Sequence, residues 1–300
     1  MSHLVNQGGI FMNRKIIGKV LRMSFAVLMG LVTMNPAFAG GGQQGSSGSA
    51  AADQKAPGSY TIEVGGSTSV TPLMELLAQE YQKQNPNIKI NINGTGSGDG
   101  INNAGILYQI GMSSRELTPA EQGRGLKEEI IAIDGIAVIV NSSNPADNLT
   151  MDQIRGIFTG EITNWSQVSG GAKSGQIAVV SREEGSGTRG AFEELVGFSG
   201  KLVKGAIEFT STGSIMSSIS TNADAIGYVS LGSLNNTVKG VSVGGVKATN
   251  ANVVNGTYKI ARPFIVLSGS NVHSESTAFL NWMLGTAGQD IVGTSWIKVR

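Results

Sequence analysis

The sequence predicts an α/β fold with mainly parallel strands, and three observations carry that expectation. Runs of alternating or continuously apolar residues recur along the chain and read as strands. Most are followed by a loop rich in Ser, Gly and Thr, then by apolar residues at helical spacing, which is the β-loop-α-β order of an α/β protein. The length of 300 residues, 40% of them hydrophobic, fits two domains of ordinary size or one large one.

Taken in order, Tyr60-Thr61-Ile62-Glu63-Val64 alternates as a strand. Gly65 to Thr71 is a loop, Pro72 suits the first turn of a helix, and Leu73, Leu76, Leu77 and Tyr81 follow at helical spacing. Pro86 ends that helix, and Ile88 to Ile92 is a second strand. A second loop, Gly94 to Gly100, precedes a short helix from Ile101, and Tyr108 to Met112 is a third strand. Ile130 to Val140 is apolar apart from Asp134 and reads as a buried strand. Thr150 caps a helix over Met151 to Phe158, with Asp152 in its first turn. Ile177 to Val180 is a strand, Ser181 to Thr188 a loop, and Ala191 to Val196 a helix. Ala225 to Val229 and Tyr258 to Leu267 are strand-like, and the last helix, Ser276 to Leu284, turns Phe279, Leu280 and Met283 inward. No internal repeat is visible, although both halves share one plan.

Composition narrows the function. A net charge of +1 and a charged fraction of 14% exclude a nucleic-acid binder that relies on a basic face. The absence of cysteine excludes disulfides, thiolate metal sites, a cysteine nucleophile and a lipid-modified cysteine. His3 and His273 lie far apart in sequence, so no histidine-rich metal site is expected, and no cofactor. Residues 12–39 read as a signal peptide: a basic start at Met12-Asn13-Arg14-Lys15, an apolar run from Phe25 to Val32, and a small-residue site at Ala37-Phe38-Ala39. The run is too short for the about 20 residues that span a bilayer core. Cleavage after Ala39 is expected to leave Gly40 first, with Met12 a candidate start and 1–11 upstream of it. Residues 40–59 are Gly/Ser-rich and read as a flexible tether.

Three loops share one logic: Gly66 to Pro72, Gly94 to Gly100, and Arg182 to Arg189. Each follows a strand and opens a helix, where unpaired N–H groups and about half a positive charge are presented. Small residues let the backbone approach a ligand, and hydroxyls rotate to donate. Such a site suits a tetrahedral oxyanion. Any one loop is accounted for by a cap or a turn; three together, with Arg182, are not. None carries the lysine of a nucleotide P-loop, and Gly185-Ser186-Gly187 has no partner histidine for an esterase.

From about Tyr60 to Lys298 the chain resembles the phosphate-binding proteins of phosphate-specific ABC importers, in the periplasmic-binding-protein superfamily. The most specific motif is Ser181-Arg182-Glu183-Glu184-Gly185-Ser186-Gly187-Thr188-Arg189. Gly66-Ser67-Thr68-Ser69-Val70, Ile110-Gly111-Met112-Ser113-Ser114-Arg115, Ile162-Thr163-Asn164-Trp165 and Gly227-Tyr228-Val229 follow the same pattern in order. The resemblance implies a type II fold of two α/β lobes, with a hinge of two crossing strands. Lobe 1 is expected at 60–133 and 231–300, and lobe 2 at 134–230. It implies an exported periplasmic monomer, not an enzyme, that closes on inorganic phosphate and hands it to the permease subunits of an ABC transporter in the inner membrane.

Residue by residue, the resemblance implies that Thr68 donates its hydroxyl, with the amides of Ser69 and Val70, and that Ser97 donates from the second loop. Arg182 supplies the direct positive charge, Ser186, Gly187 and Thr188 bind through side chain and backbone, and Glu184 orients Arg182. One position departs from the family pattern. Where the family has a buried aspartate that accepts a hydrogen bond from protonated phosphate, this chain has Ser114. Ser114 and Asp134 are the two candidates for that acceptor, while Arg115 either adds charge or faces solvent. The alternatives are a binder of sulfate, molybdate or tungstate, a hydrolase, and a secreted adhesion or sensor protein.

Overall fold

The computed structural model describes residues 58–168 and 172–300. The expected signal peptide, and all but the last two residues of the expected tether, lie outside the described residues. In the first wing, β1 (Tyr60–Gly66) buries Ile62 and Val64 fully. It pairs in parallel with β2 (Ile88–Gly94) on one side and β3 (Ile110–Ser113) on the other. The crossovers run through α1 (Thr71–Gln84) and α2 (Ser97–Asn103). α1 buries Leu73, Met74, Leu77, Ala78 and Tyr81, whereas Leu76, expected on the apolar stripe, is 42% exposed. α2 begins four residues before Ile101, so Ser97 is its first residue. The single turn α3 (Pro119–Gln122) follows, closed by a Thr118–Glu121 capping box.

The second wing repeats the plan. β4 (Lys127–Asn141) leads into β5 (Asn148–Leu149) and α4 (Met151–Thr159), which starts at the expected Thr150 cap. Then come β6 (Ala178–Arg182), α5 (Gly187–Val196), β7 (Ile207–Phe209), α6 (Thr212–Thr221) and β8 (Ala225–Ser230). The chain returns through β9 (Val238–Gly240), β10 (Ser242–Val243), α7 (Asn250–Val254) and β11 (Ala261–Ser268). It ends with α8 (Ser274–Leu284) and α9 (Thr286–Val292). Phe279 and Met283 of α8 are fully buried and Leu280 nearly so, as their spacing requires.

The main sheet has the order β2-β1-β3-β11-β4-β8-β6-β7, with β9 also on β4. Its two ends are parallel, as the alternation predicts, but β11 and β4 pair antiparallel with each other and with their neighbours β3 and β8. The reason is that β4 and β11 run between two cores in opposite directions. One core holds Ile62, Val64, Leu73, Ile131, Phe264, Val266 and Phe279. The other holds Ile136, Val138, Phe158, Trp165, Phe192, Tyr228 and Ile260. β4 changes core between Ala132 and Ile136, and the chain leading into β11 changes back between Ile260 and Phe264. Val238, Val241, Val243 and Tyr258 pack in the second and third clusters. The sequence expectation had grouped residues 231–300 with the first lobe. A one-dimensional pattern does not show which core a returning strand joins.

Loop positions depend on one backbone contact in the first wing. Gly66 has φ +133, and a Cβ there would stand 2.3 Å from the Met112 carbonyl oxygen. A Cβ on Gly100 would stand 2.5 Å from the same oxygen and 2.8 Å from Gly66 Cα. Only hydrogen fits at either position, so β1, α2 and β3 approach backbone to backbone. Gly100→Ala is expected to cost roughly 1–3 kcal/mol through overpacking. Thermal unfolding checks it, and a melting temperature unchanged from the unmutated protein would contradict the packing.

Candidate functional site

The first two loops are tied together at one carbonyl. Thr95 and Gly96 both donate their amides to Gly66 O, at 2.7 and 2.8 Å. Ser67 N donates to Met112 O at 3.0 Å, which joins the end of β3 to the same knot. Among the described residues, neither α1, capped at Val70, nor α2, capped at Gly96, uses a side-chain cap. The hydroxyls of Thr68, Ser69 and Ser97 are therefore not spent on capping, which removes the ordinary structural account of those residues. Val70 contributes differently: its amide closes the turn on Ser67 O at 3.1 Å, and its side chain is buried in the first core. The Ser69 amide points to Ser67 Oγ at 3.3 Å.

The third loop comes from the second wing and meets the others directly. Gly98 N donates to Gly185 O at 2.9 Å. A Cβ on Gly187 would lie 2.3 Å from Ser97 Oγ and 2.9 Å from Ser114 Oγ, so glycine is required for that approach. Ser186 caps α5 by accepting from Arg189 N at 3.3 Å, which leaves its hydroxyl hydrogen to donate elsewhere. Thr188 sits in the first turn, 2% exposed.

The hydroxyls gather into one chain. Ser69 Oγ is 2.8 Å from Thr188 Oγ1 and 3.0 Å from Thr212 Oγ1. Thr68 Oγ1 is 3.3 Å from Thr212 Oγ1. Ser114 Oγ is 3.4 Å from Thr188 Oγ1 and 3.3 Å from Ser97 Oγ, and the Ser114 amide donates to Ser97 Oγ at 3.1 Å. Six hydroxyls from both wings thus converge, and each can donate or accept.

Arg182 ends β6 and is 1% exposed. Its Nε and Nη2 donate to the two Glu183 carboxylate oxygens, both at 2.9 Å. The same nitrogens also donate to Phe209 O and Thr210 O. Nη1 faces the hydroxyl chain and donates to Thr212 Oγ1 at 3.4 Å. The backbone beneath is pinned too: Arg182 N donates to Tyr228 Oη, and Arg189 Nη1 donates to Arg182 O. Burial pushes the Tyr228 phenol up to about 12, which keeps it a neutral hydrogen-bonding strut.

The structure places Glu184 and Asp134 differently from the expectation, engages Arg115 elsewhere, and adds one residue to the site. Glu183, not Glu184, orients Arg182; Glu184 is exposed. The turn that follows, with Ser186 N on Glu183 O, presents the first carboxylate to the guanidinium. Asp134 does not join the hydroxyl chain. Its Oδ1 accepts from Ser230 Oγ at 2.8 Å and Gly232 N at 3.2 Å, and its Oδ2 from Arg262 Nη2 at 3.2 Å. Burial pushes this carboxyl above its ordinary value, and Arg262 opposes that push. Arg115 turns away from the site and holds Glu121 through both Nη atoms, at 2.7 and 2.8 Å. Finally, Thr212 was not anticipated. Thr210-Ser211-Thr212-Gly213-Ser214 is a fourth Ser/Thr/Gly segment after a strand, running into the first turn of α6, and that likeness is its available signal. It is hidden because β7 has three residues and α6 few apolar ones.

Residues 51–286 match the family model described as a PBP superfamily domain. The phosphate-binding protein PstS of Borreliella burgdorferi is 30% identical over 246 residues, 77% of this chain and 87% of that protein. PstS of Bacillus subtilis is 31% identical over 226 residues, 74% of each chain. A Clostridium perfringens crystal structure, described as a phosphate ABC transporter substrate-binding protein with bound phosphate, superposes with a TM-score of 0.78. It is 43% identical and is covered over its whole length by 80% of this chain.

The Arg115–Glu121 pair makes the site's surroundings testable. Two hydrogen bonds from Arg115 hold the Glu121 carboxyl at about 2, below its usual 4.5. A lowered carboxylate stabilises the fold above pH 4.5, and that contribution is lost as pH falls through about 2. In Arg115→Ala the Glu121 carboxyl is expected to titrate well above 2, which carboxyl NMR reads; an unmoved titration would place the cause elsewhere.

Proposed function

This chain belongs to the periplasmic-binding-protein superfamily, and we propose that it captures inorganic phosphate between its two lobes and delivers it to an ABC importer. The carrying observation is the hydroxyl chain closed on one side by Arg182 Nη1. A tetrahedral oxyanion taken out of water needs a donor for nearly every lone pair. Thr68, Ser69, Ser97, Ser114, Thr188 and Thr212 supply rotatable neutral donors, and Ser186 and Gly187 add theirs from the start of α5. The helix starts contribute their fixed partial charge. Arg182 adds one strong, charge-assisted donor whose excess charge is balanced by Glu183.

The mechanism is binding without chemistry. The converging groups are hydroxyls and a guanidinium, with no general base among them, and His273 caps α8 and stacks on Tyr60 instead. On this reading one lobe comprises residues 58–133 with 261–300, and the other the described residues of 134–260, a division that the two separate cores support. Anion contacts to both lobes stabilise the closed arrangement by differential affinity. The protein acts as a periplasmic monomer, exported by residues 12–39, cleaved after Ala39, and docked on inner-membrane permease subunits. No described helix is long and apolar enough to cross a membrane.

A second reading has one observation in its favour. With Ser114 in place of a carboxylate and Asp134 committed elsewhere, no carboxylate among the described residues contacts the hydroxyl chain directly to repel a fully deprotonated anion. Sulfate, molybdate and tungstate therefore remain competitors.

Calorimetric titration decides between them. Phosphate is expected to bind more tightly than sulfate, and the reverse order would overturn the assignment. Arg182→Met is expected to weaken phosphate binding roughly 10- to 100-fold, the worth of about 1.5–3 kcal/mol for a hydrogen bond to a charged group. Ser114→Asp is expected to widen the phosphate/sulfate ratio, because a carboxylate accepts only where the anion carries a proton. An unchanged ratio would remove Ser114 from the selectivity argument.

A further inference from the structure

We propose that Arg262, paired with Asp134 across the two crossing strands, is a positioning residue for the anion site: it fixes the Ser114 backbone from the hinge. The inference rests on the anion-binding reading above. It assigns a role to a buried pair that this reading leaves unused.

Asp134 and Arg262 are register partners on β4 and β11. Both strands exchange one core for the other at that level, since Ala132 and Phe264 lie in the first core and Ile136 and Ile260 in the second. The pair is 1% and 3% exposed. Asp134 also gathers Ser230 Oγ and Gly232 N, so the end of β8 is held at the same point. A buried ion pair is weak evidence of stabilisation, because desolvation offsets the attraction. Its geometry is more informative than its energy.

Arg262 divides its fork. Nη2 goes to Asp134, while Nη1 donates to Ser114 O at 2.9 Å. Nε has no hydrogen-bond partner among the described residues. Among the described residues the guanidinium therefore has two acceptors, one in the hinge and one in the site, and its Cζ lies 5.3 Å from the Phe264 ring centre. The other faces of Ser114 enter the hydroxyl chain: its amide donates to Ser97, and its Oγ lies beside Thr188. A shift of the Ser114 carbonyl moves both. Lysine has three donors on one nitrogen but no rigid planar fork to hold two acceptors at a fixed separation, which is what arginine supplies.

The test replaces the pair as a unit, Asp134→Leu with Arg262→Met, because removing one member alone strands a buried charge. Phosphate affinity is measured by calorimetry in the unmutated background and in Ser114→Ala. The expected result is at least a ten-fold loss in the first background and under three-fold in the second, since positioning matters only while the Ser114 hydroxyl is present. A loss below two-fold in the unmutated background, or equal losses in both, overturns the proposal. If the double variant does not fold, Arg262→Lys carries the test: a ten-fold loss supports it and unchanged affinity overturns it. If the unmutated protein takes up no phosphate, the proposed function falls, and hydrogen exchange then decides this inference. Faster exchange at the Ser114 amide in the pair variant supports it, and an unchanged rate overturns it.

Discussion

A guanidinium taken out of water costs several kcal/mol unless acceptors meet its N–H groups, and Arg182 is 1% exposed. Much of the second wing is arranged around that requirement. Glu183 takes one edge of the fork, the Phe209 carbonyl shares the single Nε–H with it, and the Thr210 carbonyl accepts from Nη2. β7 must therefore lie beside β6, and α6 must start where Thr212 meets Nη1. The charge is neutralised on the side away from the hydroxyls and left available on the side facing them. That asymmetry makes a buried cation useful as well as tolerable.

The hinge repeats the logic with the signs shared. Asp134 and Arg262 are each buried between strands; Asp134 uses Arg262 plus Ser230 and Gly232, and Arg262 uses Asp134 plus the Ser114 carbonyl. Both arginines sit within reach of each other's field, each with a carboxylate of its own. Each of these two buried arginines therefore meets a carboxylate before any ligand is counted. Selectivity in such a site comes from the number and placement of neutral donors more than from net charge.

Much of the site was legible because helix starts leave a written signature. Thr68, Ser69, Ser97 and Thr188 stand in Ser/Gly/Thr loops after strands, and the tertiary fold brings those four side chains together. Gly187 was legible as part of a motif, but its reason is spatial: Ser97 and Ser114 occupy the room a side chain would need. Glu184 and Glu183 are adjacent in sequence, and the turn after β6 alone settles which one faces the guanidinium. Thr212 belongs to a Ser/Thr/Gly segment of the same type as the other three, but its strand has three residues and none of them is buried, so no strand period marks it.

Local pattern was enough for the α/β alternation, the anion-type loops and the arginine that serves them, because strand and helix periods and terminal Ser/Gly patterns are local properties. Tertiary structure decided which hydroxyls converge, which carboxylate balances Arg182, and where Asp134 is committed. Those outcomes depend on register between β4 and β11 and on which core each returning segment joins. A lone aspartate in one apolar strand and a lone arginine in another are visible as residues. That they face each other at the point where both strands change core is a fact of pairing, and pairing is long-range.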